Sequence, residues 1–362
     1  MKPTQQLHHD GQSLWLDNIT RDLLTSGKLK EYIDGLGITG LTSNPTIFDQ
    51  AFMTTDAYDD AIVDAAGQDL AEEEIFFDLA IDDLRGAADL FRSIWERTNG
   101  IDGWVSLEVS PRIAYDPQST ITAAVDLHMK AERPNLFIKI PATAEGLPAI
   151  EEAIFAGVPI NVTLLFSREH YLATAEAYMR GIERRVDAGL DPAVGSVASV
   201  FVSRWDTAHE STERPDELHN MLGIAMAKRT YAAYRGVLDS DRWKRLANEG
   251  AQPQRLLFAS TGTKDPTASD VLYVRALAAP FTVNTMPEKT LLAFGDHGMV
   301  TEFLPADGGN AEDVIQRFAA AGVDVDALAA RLQSEAADSF VKSWDELLEN
   351  IGQKSNALMA AR

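Results

Sequence analysis

No cysteine occurs anywhere in the chain. Its absence excludes disulfides, thiol nucleophiles and cysteine-ligated zinc or iron–sulfur centres. Positive charge is also scarce: 32 Lys and Arg stand against 55 Asp and Glu, a formal net charge of −23. A nucleic-acid partner needs a basic surface for its phosphates, so none is expected. Mutual repulsion at this charge favours a dispersed, soluble chain, and an anionic substrate would need a local cluster of cations. No apolar run reaches the ~18 residues of a membrane span, and Met1 to Asp10 lack the apolar centre of a signal peptide. No membrane partner is expected, and a cytoplasmic location is the default. The seven histidines (His8, His9, His128, His170, His209, His219 and His297) form no HExxH pattern, so no metal site is assigned and no cofactor is called for. Gly35 to Gly40 satisfies the spacing G-x-G-x-x-G. A dinucleotide site needs a strand before such glycines and a helix after them. Here the order is reversed, and the match is rejected.

What is present is a chain of 362 residues, 45% hydrophobic, enough for one large α/β domain or two smaller ones. The stretch Asn135-Leu136-Phe137-Ile138-Lys139-Ile140-Pro141 reads as a short strand covered on both faces, yet it carries a lysine near its end. Loss of hydration disfavours an ammonium relative to the free amine, and a free amine attacks carbonyls to give a Schiff base. Taken alone, a strand-end lysine more often snorkels to solvent or pairs with a carboxylate.

The remaining strands change that balance. Leu14–Asn18, Ile38–Pro45, Trp104–Ser110, Ile160–Phe166, Gly195–Arg204, Arg255–Thr261 and Phe281–Met286 read as further short apolar strands. Between them run helical patterns: Ile19–Ile33, one long region from Asp56 to Thr98, Thr120–Glu132, Ala144–Ala156, Arg168–Ala188 and most of Arg214–Asn248. Pro287 is expected at the first turn of another helix, and Ala311 to Arg362 reads as helical throughout. Eight strands alternating with helices, undivided by a linker, predict a (β/α)8 TIM barrel with additional C-terminal helices. The runner-up, a doubly wound sheet, lacks the phosphate-binding glycine turn after its first strand. The whole chain, 1–362, is read as one barrel domain with 301–362 a helical extension packed on it.

In such a barrel the active site lies at the carboxyl ends of the strands. Those ends carry Asp17, then Thr42, Ser43 and Asn44, then Glu108, Lys139, Asn161 with Thr163, Ser199, Arg204 and Ser260. Each has an ordinary structural explanation: Asp17 or Asn44 as a helix cap, Asn161 bonded to neighbouring backbone, Arg204 as a surface cation. At equivalent places on seven strands, one shared pocket explains them better. Asp17 and Glu108 can move protons, Thr163 can hold a water beside Glu108, and Asn44 and Asn161 can bond sugar hydroxyls. Arg204, Ser260 and Lys264 can hold a phosphate.

Four stretches make the chain resemble the transaldolases: Leu41-Thr42-Ser43-Asn44-Pro45, Val105-Ser106-Leu107-Glu108-Val109, Ile138-Lys139-Ile140-Pro141-Ala142-Thr143 and Ile160-Asn161-Val162-Thr163-Leu164-Leu165-Phe166-Ser167. The resemblance covers roughly residues 14 to 266. It implies a Schiff-base role for Lys139, acid–base roles for Asp17 and Glu108, and a water-holding role for Thr163. Substrate binding is implied for Thr42, Asn44, Asn161, Ser199, Phe201, Arg204, Ser260 and Lys264. Two departures from the family pattern stand out: Ser199-Val200-Phe201 replaces Ser-Pro-Phe, and Gly262 sits where better-known members carry a second phosphate arginine, so Lys264 takes that part. The length and C-terminal region resemble bacterial members sometimes fused to glucose-6-phosphate isomerase, of which no segment is recognised here.

The implied reaction moves a dihydroxyacetone unit from sedoheptulose 7-phosphate to glyceraldehyde 3-phosphate, giving erythrose 4-phosphate and fructose 6-phosphate in the pentose phosphate pathway. Its partners are sugar phosphates. A monomer and a homodimer are equally compatible with the sequence. Three alternatives stay open: an aldolase of the same barrel type, a metal-dependent barrel isomerase or hydrolase, and a silent sugar-phosphate binder.

Overall fold

A computed structural model of the chain describes residues 1–68, 70–208 and 216–361. Its strands are β1 (Ser13–Asp17), β2 (Gly40–Thr42), β3 (Val105–Glu108), β4 (Leu136–Pro141), β5 (Ile160–Leu165), β6 (Ser196–Phe201), β7 (Gln254–Ala259) and β8 (Val283–Met286). They hydrogen-bond in the order β2-β1-β8-β7-β6-β5-β4-β3, every pair parallel. A bridge between Gly40 and Trp104, with Leu41 N donating to Trp104 O at 3.0 Å, joins β2 to the start of β3. This contact makes the sheet a closed (β/α)8 barrel and rules out an open doubly wound sheet. Glycine is required at position 40, because a Cβ there would lie 2.6 Å from Trp104 O and 2.7 Å from the Trp15 ring.

Successive strand residues point to opposite faces, and the two sets fall into separate apolar clusters. Leu14, Leu16, Val105, Leu107, Ile138, Ile140, Ile160 and Val162 join the cluster beneath the helices. Trp15, Trp104, Phe137, Val197, Leu257 and Val283 fill the inside, where Trp104 stacks on Phe137 with centroids 4.0 Å apart. The inner residues change character along each strand. Trp15 is followed by Asp17, Phe137 by Lys139, Val197 by Ser199 and Val283 by Thr285. The barrel is therefore plugged with hydrocarbon midway and polar at its carboxyl end, while at its amino end Arg255 donates to Ser13 Oγ at 2.6 Å.

Helices depart from the sequence reading mainly at their boundaries. The region 56–98 is two helices, Asp59–Ala66 and Glu72–Arg97, and a further helix, Pro45–Thr54, precedes them, with Tyr58 buried against Phe52 before Asp59. Ile19–Ile33 is also two helices, Arg21–Thr25 and Lys28–Leu36, parted by Gly27 at φ 79°. A helix at Pro3–His9 was not expected. Pro287 is the N-cap of Glu288–His297, one residue earlier than expected. The additional C-terminal helices are a pair, Ala311–Ala320 followed by Val325–Ala360, where Asp324 caps the second through Asp326 N and Ala327 N. Arg214 and Arg362, the expected limits of two helical segments, lie outside the described residues. Among those described, no helix is long and apolar enough to cross a membrane.

Candidate active site

A cavity of about 410 Å³ opens at the carboxyl end of the barrel. β1 and β2 bring Asp17, Thr42 and Asn44 to its wall, β4 brings Lys139, and β5 brings Asn161 and Thr163. β6, the turn of helix after it, and the segment after β7 add Ser199, Phe201, Arg204, Ser260 and Lys264. Glu108 is not in the wall. It stands beside the lysine, whose register neighbours are Glu108 on β3 and Asn161 on β5. No described histidine lines the cavity, and His209 lies outside the described residues.

Lys139 and Glu108 are each only 6% exposed. The Lys139 ammonium donates to Ser43 O at 2.9 Å and stands 3.5 Å from Glu108 Oε2. Burial pushes the Glu108 carboxyl above its ordinary range; the Lys139 charge opposes this and Asp17 adds to it. A carboxyl in that condition beside an ammonium is a natural holder for the proton the amine must lose before it can attack a carbonyl. Asn161 is fixed on two sides: Nδ2 donates to Ser106 Oγ at 3.1 Å, and Oδ1 accepts from Ser199 Oγ at 2.7 Å. These partners are side chains, not the backbone. Thr163 is buried and its hydroxyl finds no hydrogen-bond partner among the described residues, which is costly unless a small polar group in the cavity bonds it.

Asp17 keeps some solvent contact through the cavity mouth but is otherwise packed among protein atoms. Thr42 Oγ1 donates to its Oδ1 at 2.7 Å and lies 2.7 Å from Thr285 Oγ1. Desolvation raises the Asp17 carboxyl, while the Thr42 bond and the charges of Lys139 and Lys264 pull it back. Asp17 caps no helix; Thr20 does so for the helix that follows. Asn44 does cap one, its Oδ1 accepting from Ile47 N at 3.1 Å, which leaves its NH2 for a ligand.

The raised Asp17 value has a consequence for stability. Above the ordinary carboxyl pKa of 3.8 the unfolded chain loses this proton before the native one does, so the group's contribution weakens as pH rises. Asp17→Asn, which keeps the acceptor for Thr42, is expected to raise Tm on the order of 2 °C near neutral pH. The gain should vanish below the ordinary carboxyl range, where both states are protonated. Thermal melts at the two pH values check this; a lower Tm at neutral pH would contradict it.

Two cations sit at the other side of the cavity. Arg204 lies between Phe201 and Phe340, its guanidinium carbon 5.2 and 5.7 Å from the ring centroids. It makes no hydrogen bond or ion pair among the described residues. Desolvation lowers its pKa, but a guanidinium stays charged. Ser260 has φ 56°, and its Oγ is 2.9 Å from Ser203 Oγ. A Cβ at Gly262 would come within 3.2 Å of Pro287 Cγ, so an arginine there would press on that ring, and Lys264 reaches the same wall from the loop.

Several groups were missed in the sequence. Ser106 holds Asn161 and Thr285 holds Thr42, while Ser43, already read at the end of β2, acts through its carbonyl on Lys139. Ser339, Phe340 and Ser343 come from the C-terminal helix, which crosses the cavity mouth. That helix is anchored by Thr46 to Ser343 at 3.2 Å, Arg112 to Asp345 at 2.7 Å, and Lys354 to Phe52 O and Asp59, each at 2.6 Å. Phe340 and Ser343 are separated by one helical turn, and nothing in the sequence marks that turn as part of a site on β-strands far upstream.

Comparison with known proteins agrees with this arrangement. Residues 14–351 match the family model described as transaldolase/fructose-6-phosphate aldolase. A transaldolase of Saccharopolyspora erythraea is 45% identical over 356 residues, covering 97% of each chain. One of Thermobifida fusca is 45% identical over 360 residues, covering 97% of this chain and 98% of that protein. One of Mycobacterium tuberculosis is 43% identical over 350 residues, covering 94% and 93%.

Proposed function

The chain belongs to the transaldolase/fructose-6-phosphate aldolase family, and from that premise we propose that it works through a Schiff base at Lys139. It is an enzyme of the transaldolase type, a transferase of aldehyde or ketone residues in the pentose phosphate pathway. The donor on this reading is sedoheptulose 7-phosphate and the acceptor glyceraldehyde 3-phosphate. The products are erythrose 4-phosphate and fructose 6-phosphate. One observation carries the reading: a primary amine, almost wholly buried, sits at the carboxyl end of β4 beside a carboxyl raised by burial.

The steps follow from that geometry. Glu108 takes the ammonium proton, and the Lys139 amine adds to the ketose carbonyl. Loss of water from the carbinolamine gives an iminium. Asp17 accepts the proton of the C4 hydroxyl as the C3–C4 bond breaks; the electron pair passes into the iminium to form an enamine, and the aldose leaves. The enamine carbon then adds to the acceptor aldehyde, whose oxygen takes the proton back from Asp17. Water, held by Thr163, hydrolyses the new iminium and frees the product. Asn44 and Asn161 bond the sugar hydroxyls, and Arg204, Ser260 and Lys264 take the phosphate.

A second reading deserves its test because the family embraces both activities: cleavage of fructose 6-phosphate with release of dihydroxyacetone. Turnover of fructose 6-phosphate with and without erythrose 4-phosphate separates the two. Dependence on the acceptor is expected, and acceptor-free turnover at a similar rate would establish the aldolase instead.

Retaining the enamine for the second aldehyde requires water to be kept out, and the C-terminal helix supplies Phe340 over the cavity. Removing the segment after about residue 335 is expected to raise hydrolytic release of dihydroxyacetone relative to transfer, with Phe340→Ala shifting the ratio the same way by less. An unchanged product ratio in both variants would refute the shielding role.

A further inference from the structure

The C-terminal helix does more than cover the cavity. Along β5 the pairing with β6 runs to Val162 opposite Ala198 and resumes at Leu165 opposite Val200. Thr163 and Leu164 thus share one opposing residue, Ser199, which is a bulge. Leu164 adopts φ 62°, a left-handed conformation uncommon for leucine. Its carbonyl is turned toward the C-terminal helix, where Gln333 Nε2 donates to it at 2.9 Å. The same amide donates to Ala142 O at 3.0 Å. Ala142 follows directly on β4, and its N donates to Thr163 O at 2.8 Å. One side-chain amide therefore ties together the ends of the two strands that carry Lys139 and Thr163. Both accepting residues are buried, so a substitute without N–H groups would take a donor from each carbonyl. His170 completes the surroundings: its Nδ1 accepts from Phe166 N at 3.2 Å and lies 3.5 Å from Gln333 Nε2. Gln333 and Phe340 are two helical turns apart, on one face of the helix.

We propose that Gln333 is a positioning residue for the transfer reaction, its amide clamping the bulge so that the Thr163 hydroxyl is held toward the cavity and the covering helix stays in register with β4 and β5. The inference rests on the Schiff-base reading of Lys139. Gln333 touches no reacting atom; it acts through Thr163 and Phe340. A clamp of this kind governs the rate of the bound complex more than sugar binding, because Asn161 is fixed by Ser106 and Ser199 and Arg204 keeps its contact with Phe201 on β6.

Two variants test it. Gln333→Leu keeps the bulk and removes both donors; kcat is expected to fall roughly tenfold, since sub-ångström misplacement at a site is costly, with KM for fructose 6-phosphate within about twofold. Gln333→Glu sets a carboxylate against two carbonyl oxygens and should be at least as slow near neutral pH. On acidification its neutral carboxyl regains one donor, so its kcat relative to the parent should climb severalfold while the Gln333→Leu ratio stays flat. His170, the titratable group facing this position, has its pKa lowered by burial, with the Glu169 charge opposing; it is common to parent and variants, so the Gln333→Leu ratio controls for its titration. Parent-like kcat in both variants, or a flat ratio for Gln333→Glu, would reduce Gln333 to a packing contact and overturn the proposal. If Gln333→Leu does not fold, the pH ratio of Gln333→Glu decides alone. Borohydride labelling of Lys139 in the parent keeps the two claims apart: no labelling defeats the Schiff-base reading, whereas labelling with unaffected variants defeats only the clamp.

Discussion

Replacing Lys139 by alanine is expected to lower kcat/KM by at least about 10⁴-fold, as loss of a covalent nucleophile does. The fold should survive. Breaking a buried pair is severe when a charge is left uncompensated, about 3–5 kcal/mol, but here the carboxyl left behind already has its pKa raised by burial and can take a proton. Melts of the variant should therefore remain cooperative, which separates lost chemistry from lost structure. Lys139→Arg should be equally inactive, because a guanidinium keeps its charge and is no nucleophile. Residual activity within tenfold of the parent in either variant would mean that the amine is not the reacting group.

Arg204→Ala should act differently. Truncating one partner of a buried charged contact costs about 2–5 kcal/mol, so KM for phosphorylated donor and acceptor should rise on the order of 10²-fold. Turnover of unphosphorylated ketoses should be little affected. Lysine should rescue only in part, since the flat guanidinium between Phe201 and Phe340 gives a forked donor that an ammonium cannot copy. Steady-state kinetics with paired phosphorylated and unphosphorylated sugars reads this directly. If KM for sugar phosphates stays within twofold, the phosphate is held elsewhere.

The strands were legible because each is a brief apolar run, and several of the polar residues interrupting those runs face the cavity. Lys139, Asn161 and Ser199 stood out by that contrast alone. The helices were less legible at their ends. Tyr58 turns inward against Phe52 where the helix Pro45–Thr54 gives way to Asp59–Ala66, and an apolar residue within an apolar periodicity leaves no trace of such a turn. The bulge at Thr163–Leu164 carries no glycine to announce it. Gln333 was invisible for a related reason: its role is to satisfy two carbonyls more than 160 residues upstream, and a glutamine on a half-exposed helix face looks like any other. Glu108 was expected at the cavity, yet it is not in the wall but beside the lysine, because strand alternation fixes which face a residue occupies and not which of its atoms reach open space.

The most direct test reduces the enzyme with borohydride in the presence of fructose 6-phosphate and maps the modified peptide by mass spectrometry. A stable secondary amine joining the three-carbon unit to Lys139 is expected, and Lys139→Ala should give none. An adduct on any other lysine, or turnover with no trappable adduct, would contradict a Schiff base inside the barrel.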